Sequence, residues 1–97
     1  MRKVFKFTIP FGNGETYKIA ELPEEYKVVH VQQNLGPNKD AVNIWVELDP
    51  EAPRTRNVLF EMVGTGHPIN DDNAKHVGSV VLEGSHEGLV FHIYERV

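Results

Sequence analysis

Apolar and polar residues alternate with a period of two in seven short segments, and this alternation constrains the fold more than any other feature. It is clearest in residues 42–48, VNIWVEL, where every second residue is aliphatic. Successive side chains of a β-strand point to opposite faces, so the pattern predicts half-buried strands rather than helices. In the third segment, Val29 and Val31 are predicted to share one face. The predicted strands are 3–9, 16–20, 28–33, 42–48, 56–63, 77–82 and 89–95.

Proline and glycine separate these strands. Pro10 ends the first, and Gly12-Asn13-Gly14 predicts a hairpin to the second because these residues tolerate positive φ. Pro23-Glu24-Glu25-Tyr26 predicts one helical turn with proline near its start. The predicted fold class is mainly β, with about seven short antiparallel strands in a compact sandwich or a partly open barrel. At most one or two short helical turns are expected.

Size, charge and cysteine content narrow the class of protein. With 97 residues, the chain is expected to form a single domain, 1–97. Ten Lys and Arg against 14 Asp and Glu give a net charge of −4, which disfavours phosphate-rich partners. No DNA, RNA or membrane partner is therefore expected. The chain has no cysteine, which excludes thiolate chemistry and suits a reducing cytoplasm.

Enzymatic motifs fail on spacing or context. Ser85-His86-Glu87 has the residue types of a catalytic triad, but sequential neighbours cannot take up triad geometry. Gly12-Asn13-Gly14 begins like a dinucleotide fingerprint, but Tyr17 stands where the third glycine belongs and no helix follows. We therefore expect no catalytic residue, and the chain is interpreted as a non-catalytic binding protein with no cofactor.

The five histidines do not form a local metal clamp, because none are two, three or four residues apart. They are His30, His67, His76, His86 and His92. The expected reading is that His30 and His92 are ordinary strand residues and that no metal binds. A site assembled from distant strands, with Asp71 or Asp72, stays open as an alternative.

The most unusual local sequence is Gly64-Thr65-Gly66-His67-Pro68-Ile69. Its two glycines allow consecutive backbone N–H groups to converge on an anion. Thr65 adds a hydroxyl donor, His67 adds an imidazole, and Pro68 restricts His67 to extended conformations. The alternative interpretation is a tight turn between strands five and six that uses glycine for positive φ, and glycine–proline loops favour it.

Arginine and tryptophan side chains extend this candidate site. Arg54 and Arg56 come just before the predicted strand that leads into this loop. A guanidinium group can donate two parallel hydrogen bonds to a phosphate. Trp45 lies opposite the aliphatic face of its strand, where an exposed indole is a platform for a base. Weaker aromatic candidates are Phe11, Tyr17 and Tyr26. The predicted ligand-binding residues are Trp45, Arg54, Arg56, Gly64, Thr65, Gly66, His67 and Pro68.

Several segments together resemble a known type of small phage- and prophage-encoded domain, long catalogued as having unknown function. Its most specific part is the Gly-Thr-Gly-His-Pro-Ile run at 64–69. The other segments, in order, are Val4-Phe5-Lys6-Phe7 with Ile9-Pro10, Glu21-Leu22-Pro23, residues 28–32, Ile44-Trp45-Val46, residues 49–53, residues 77–80 and residues 89–95.

The chain is also similar to the anti-CBASS sponge proteins of phages, which sequester cyclic dinucleotide signals without cleaving them. That resemblance implies a homo-oligomer, a tetramer, with a ligand such as cyclic GMP-AMP. It also implies action in the cytoplasm of the infected bacterial host. Two other functions stay open: a phage structural or protein-interaction module, and a phosphoesterase in which His67 acts with Asp71 or Asp72.

Overall fold

Seven β-strands and one short 3₁₀ turn are the regular elements of the computed structural model within the residues it describes, which are 1–13, 16–34, 36–84 and 88–97. The strands are β1 (Lys3–Ile9), β2 (Tyr17–Leu22), β3 (Tyr26–Gln33), β4 (Val42–Leu48), β5 (Arg56–Gly64), β6 (Lys75–Val81) and β7 (Val90–Arg96). The mainly-β fold class predicted from the alternation is confirmed. Within the described ranges, no helix has the length and apolar character needed to cross a membrane.

The strands form two sheets that pack face to face. The three-stranded sheet has the order β1-β4-β3, and the four-stranded sheet has the order β2-β5-β7-β6. Each pairing between neighbours is antiparallel. Of the two architectures that the sequence left open, the sandwich is therefore the one observed.

The core lies between the two sheets and is built from alternate residues of the central strands. In β4 the aliphatic set predicted to face inward is buried, and Phe60 of β5 is the largest buried side chain. The buried apolar residues of the core are Ile9, Ala20, Leu22, Val42, Ile44, Val46, Leu48, Val58, Phe60, Met62, Val80, Leu82 and Ile93.

Two of the predicted turns are wrong. β1 pairs with β4 and β2 pairs with β5, in different sheets, so the predicted β1–β2 hairpin does not form; Gly14, part of its predicted turn, lies outside the described residues. The 3₁₀ turn Phe11–Asn13 instead begins a crossing between sheets, because Ile9 and Leu22 enter the core from opposite sides. The helical turn predicted at residues 23–26 is a bend, since β3 already begins at Tyr26.

A β-bulge in β3 overturns the predicted orientation of Val29. The pairing with β4 shifts between Val28 and His30, and the extra residue leaves Val29 43% exposed. Val28 and Val31 pack against the core instead. His30, after the bulge, is exposed.

One hydrogen bond joins the sheets through a tyrosine. The Tyr26 hydroxyl of β3 donates to Oε2 of Glu95 in β7 at 2.8 Å. Burial, the hydrogen bond to Glu95 and the negative charge of that carboxylate raise the pKa of Tyr26 above its ordinary value. The folded protein therefore holds the phenol proton more tightly than the unfolded chain does.

This difference predicts a loss of stability in alkali. The contribution of Tyr26 is complete below the unfolded pKa of about 10 and decreases as the pH rises above that value. We expect Tyr26→Phe to lower the free energy of unfolding at neutral pH. In this variant the free energy of unfolding should also decrease less steeply above pH 10. Urea unfolding at a series of pH values measures both effects. An equally steep decrease in Tyr26→Phe would show that other groups cause it.

Candidate functional site

A continuous chain of hydrogen-bonded side chains lies on the outer face of the four-stranded sheet. Ser79 Oγ lies 2.9 Å from His76 Nε2 and 2.8 Å from His92 Nδ1. The other ring nitrogen of His92, Nε2, lies 3.0 Å from Thr65 Oγ1. The Thr65 hydroxyl donates in turn to the backbone carbonyl of Val90 at 3.2 Å. We call His76, Ser79, His92 and Thr65 the hydroxyl–imidazole chain.

The register of β6 against β7 explains how these residues meet. Ser79 is the cross-strand partner of His92, which places the two side chains side by side. Residues three apart in a regular strand face opposite ways, so His76 and Ser79 would normally be separated. A bulge between His76 and Gly78 adds one residue, and both side chains therefore face outward.

The Val90 carbonyl fixes the direction of the Thr65 hydroxyl. A carbonyl oxygen only accepts, so the Thr65 hydroxyl donates to Val90 and accepts from His92 Nε2–H. In the tautomer with a proton on Nε2 only, His92 accepts from the Ser79 hydroxyl at Nδ1, and Ser79 accepts from His76 Nε2–H. The members of the chain are exposed or only partly buried.

The glycine-rich loop next to this chain is a tight turn. The backbone N–H of His67 donates to the Gly64 carbonyl at 3.0 Å, and Gly66 has φ of 87°. This geometry confirms the tight-turn interpretation, and it uses the His67 amide that an anion nest would need. The His67 ring packs over Gly64, where an added Cβ would lie 3.1 Å from Nδ1. Pro68, the next residue, is exposed.

A cavity of about 340 Å³ opens beside the turn and shares Thr65 with the hydroxyl–imidazole chain. It lies between the turn after β5 and the start of β7. The hydroxyl of Thr65 and the imidazole of His67 therefore line it together with apolar side chains near β7. Its lining residues are Gly64, Thr65, His67, Gly88, Leu89, Val90 and Phe91. Four of the predicted site residues, 64–67, therefore lie at or next to one depression.

The structure does not bring the two arginines to this cavity. Arg56 begins β5 and Gly64 ends it, so about 25 Å of strand separates them. The Arg56 guanidinium instead lies 3.9 Å from a Glu24 carboxylate oxygen and donates to the Glu24 carbonyl at 3.4 Å. The Arg54 guanidinium lies 5.5 Å from the centre of the Phe5 ring.

Trp45 lies on the opposite side of the molecule. It is on the outer face of the three-stranded sheet, where its ring centre is 5.2 Å from that of His30. The sandwich is 20 Å across its shortest dimension. One small ligand therefore cannot touch Trp45 and the hydroxyl–imidazole chain of the same protomer. Among the weaker aromatic candidates, Tyr17 lies exposed on the four-stranded sheet, whereas Phe11 packs against the core.

Asp71, one of the two carboxylates of the phosphoesterase alternative, contacts residues other than His67. Asp71 accepts a hydrogen bond from the Asn73 backbone N–H at 2.8 Å and lies 4.0 Å from the Arg96 guanidinium, rather than pairing with His67. Among the residues that the structure describes, no three His, Asp or Glu side chains are placed to hold a metal ion. The triad-like run Ser85-His86-Glu87 lies outside the described residues.

Sequence reasoning missed His76, Ser79 and His92 as site residues. Their separation along the chain hides their contact, which depends on the β6–β7 register and on one bulge. Both strands were predicted, and positions 79 and 92 are polar positions that face outward. Pairing these two positions across neighbouring strands would have identified the contact.

A protein family described as a domain of unknown function, DUF7352, matches residues 1–97. The chain belongs to this family. No curated protein and no solved structure is significantly similar to the chain. Since the function of the DUF7352 family is unknown, the function of this member has to follow from its own residues.

Proposed function

We propose that the protein captures a small nucleotide signal, a cyclic dinucleotide such as cyclic GMP-AMP, and holds it without cleaving it. The observation that carries the proposal is the hydroxyl–imidazole chain next to the cavity at Thr65 and His67. In this proposal the protein is a phage immune-evasion factor in the cytoplasm of the infected host, as the sponge resemblance implies.

The donors of this face suit a phosphate. The hydroxyls of Thr65 and Ser79 and the N–H groups of His76 and His92 lie on one exposed surface. A phosphate oxygen is a stronger acceptor than a neutral hydroxyl or imidazole, so it can replace a partner within the chain. The apolar wall at Leu89 and Phe91 offers contact area for a base.

The orientation of His92 favours capture over hydrolysis. In a serine hydrolase, a buried carboxylate holds the second nitrogen of the base and stabilises the imidazolium that forms. Here that nitrogen contacts the Thr65 hydroxyl, which brings no negative charge. Ser79 is therefore hydrogen-bonded to His92 without the electrostatic support that a nucleophile needs, and the bound ligand stays intact.

Assembly into a homo-oligomer, a tetramer as the resemblance implies, belongs to the same proposal. Tyr17 and Ile19 of β2 are 47% and 55% exposed on the four-stranded sheet, and Val81 of β6 is 65% exposed. Tyr17 and Ile19 lie next to each other on one edge strand, where they offer an apolar contact to a second copy, and Val81 lies on the opposite edge strand. Analytical ultracentrifugation measures this directly.

Calorimetry with a panel of cyclic dinucleotides tests the proposal. We expect one member of the panel to bind, and Thr65→Val or Ser79→Ala to weaken it about tenfold or more. Each variant removes one hydrogen bond to a charged group, worth about 1.5–3 kcal/mol. The bound ligand, released by heating and identified by mass spectrometry, is expected to be intact.

The matched control is Thr55→Val, which makes the same change at an exposed threonine that contacts Glu24 near the start of β5. It should leave the affinity unchanged, as should Arg56→Ala. Absence of binding across the panel at micromolar protein would overturn the proposal. Recovery of a hydrolysed ligand would favour the phosphoesterase alternative, in which His67 acts with Asp71 or Asp72.

A further inference from the structure

The four-stranded sheet ends at β2, and this edge of the sheet is open. β2 pairs with β5 on one side, and none of the described strands pairs with it on the other side. Its register against β5 is regular over Tyr17–Leu22, a segment without bulge or proline. An unbulged edge strand presents backbone donors and acceptors to which another strand can add.

The hydrogen bonds to β5 show which residues of β2 face the open edge. The Met62 N–H donates to the Thr16 carbonyl at 2.7 Å, just before β2 begins. In an antiparallel pair, residues that bond to one neighbouring strand alternate with residues that face the other way. The even-numbered residues of β2 therefore direct their N–H and C=O groups to β5. The odd-numbered residues, which we call the edge residues, direct theirs to the open edge: Tyr17, Ile19 and Glu21.

The side chains of the edge residues all lie on the outer face of the sheet and are exposed. Ala20 and Leu22 point the other way and are buried in the core. Ile19, in the middle of the edge, is 55% exposed. A strand added at this edge would therefore cover apolar surface and satisfy backbone groups at the same residues.

We propose that the β2 edge pairs antiparallel with the β2 edge of a second copy, centred on Ile19, so that two four-stranded sheets join across a two-fold axis. This inference rests on the homo-oligomer of the proposed function and requires no nucleotide. In this register Ile19 lies opposite Ile19 of the second copy, and Tyr17 lies opposite Glu21 in both directions. Every edge residue then exchanges two backbone hydrogen bonds with its partner. A register shifted by two residues would leave one edge residue of each copy opposite no residue of β2.

The charges of β2 also fit a second copy. The strand carries Lys18 and Glu21, and in the centred register these lie opposite Ala20 and Tyr17 of the second copy. Neither charge therefore faces a like charge, which would destabilise the pair.

The other edge strands are less suited to pairing with themselves. β3 and β6 each contain a bulge, which interrupts pairing along an edge. The middle residue of β1 is Lys6, so a pair centred on that strand would place two ammonium groups opposite each other.

Cysteine crosslinking tests the register directly, because the chain has no cysteine of its own. Opposed residues in a hydrogen-bonded pair have Cα atoms about 5.5 Å apart, a distance that suits a disulfide. We expect Ile19→Cys to form a covalent dimer under mild oxidation. We expect Tyr17→Cys and Glu21→Cys to form a mixed dimer only when the two variants are combined. Val4→Cys, at a residue of β1 that is 53% exposed, is the matched control and should not crosslink.

Analytical ultracentrifugation at micromolar protein tests the assembly without a crosslink. Ile19→Lys places two ammonium groups opposite each other, so it should halve the mass of the particle. Ile19→Pro should have the same effect without added charge, because it removes an N–H that points to the open edge. Val4→Lys makes the same charge change at nearly equal exposure and should leave the mass unchanged.

Two results would overturn this inference. The first is a monomeric parent protein, which would leave the β2 edge to a strand from a different protein. The second is an oligomer whose mass Ile19→Lys leaves unchanged and in which Ile19→Cys does not crosslink, which would place the contact between copies elsewhere. Cyclic dinucleotide binding is measured at the hydroxyl–imidazole chain of β6 and β7, so its failure is a separate result.

Discussion

Replacing Gly78 by alanine will destabilise the protein by about 2–3 kcal/mol, because the position has no room for a methyl group. Gly78 lies in β6, where the edge of the four-stranded sheet meets β3 of the other sheet. A Cβ at this position would clash with Cγ2 of Val31, a residue that packs against the core. In a domain of this size, the loss corresponds to a decrease in Tm of about 8–24 °C.

The contact with Val31 provides a specific test of this cause. In Val31→Ala the clashing methyl group is gone, and the remaining Cβ would lie 3.4 Å from the new methyl group, an ordinary contact. The double variant should therefore be less destabilised than the sum of the two single variants, by about 1–2 kcal/mol. Denaturant unfolding of the four proteins measures this coupling.

Gly36→Ala is the matched control, since a Cβ there would lie 3.4 Å from Asn34 Nδ2 and the backbone φ is not positive. It should change stability by less than about 1 kcal/mol. If Gly78→Ala were equally harmless, or if its effect simply added to that of Val31→Ala, the close approach of β6 and β3 would be wrong.

Gln33→Met will destabilise the protein by about 3 kcal/mol. Gln33 is 6% exposed, and its amide nitrogen donates to the carbonyls of Lys39 and Glu83 at 2.6 and 3.0 Å. Its carbonyl accepts the Glu83 backbone N–H at 2.6 Å. Methionine keeps the length of the side chain but leaves three backbone groups without these partners, at about 1–3 kcal/mol for each one that stays buried.

Lys39→Ala separates this hydrogen bonding from nearby charge. It removes an exposed ammonium group 3.7 Å from Glu83 but keeps the backbone carbonyl that Gln33 contacts. A surface ion pair of this kind contributes about 0–1 kcal/mol, so the control should remain close to the parent protein. Equal losses in both variants, measured by urea unfolding, would contradict the role assigned to the Gln33 amide.

The positions of the strands could be predicted because a strand that is buried on one face alternates apolar and polar residues along the sequence. β1 and β4 agree with their predicted limits, and β5 differs by one residue at its end. The pairing of strands was not predictable in the same way. The residue types of Gly12-Asn13-Gly14 favour a hairpin turn. Ile9 and Leu22, however, are buried from opposite sheets, so β1 and β2 pair with different strands.

The candidate site was predictable only in part, because the pairing of strands could not be predicted. Thr65 and His67 were found because an unusual composition marks their loop locally. His92 and Ser79 look ordinary in sequence, and only the β6–β7 register places them together. Trp45 was correctly predicted to face away from the core, but periodicity contains no information on which sheet a strand joins. The separation of Trp45 from Thr65 could therefore not be predicted from the sequence.

Imidazole resonances test the central claim, which is that the ligand binds at the hydroxyl–imidazole chain. In ¹H–¹⁵N spectra of the histidine rings, adding the cyclic dinucleotide should shift His76 and His92 and, through the cavity, His67. His30, which contacts Trp45 on the opposite face, should keep its position and serves as the internal control. Shifts confined to His30, or binding that leaves His92 unchanged, would contradict the account.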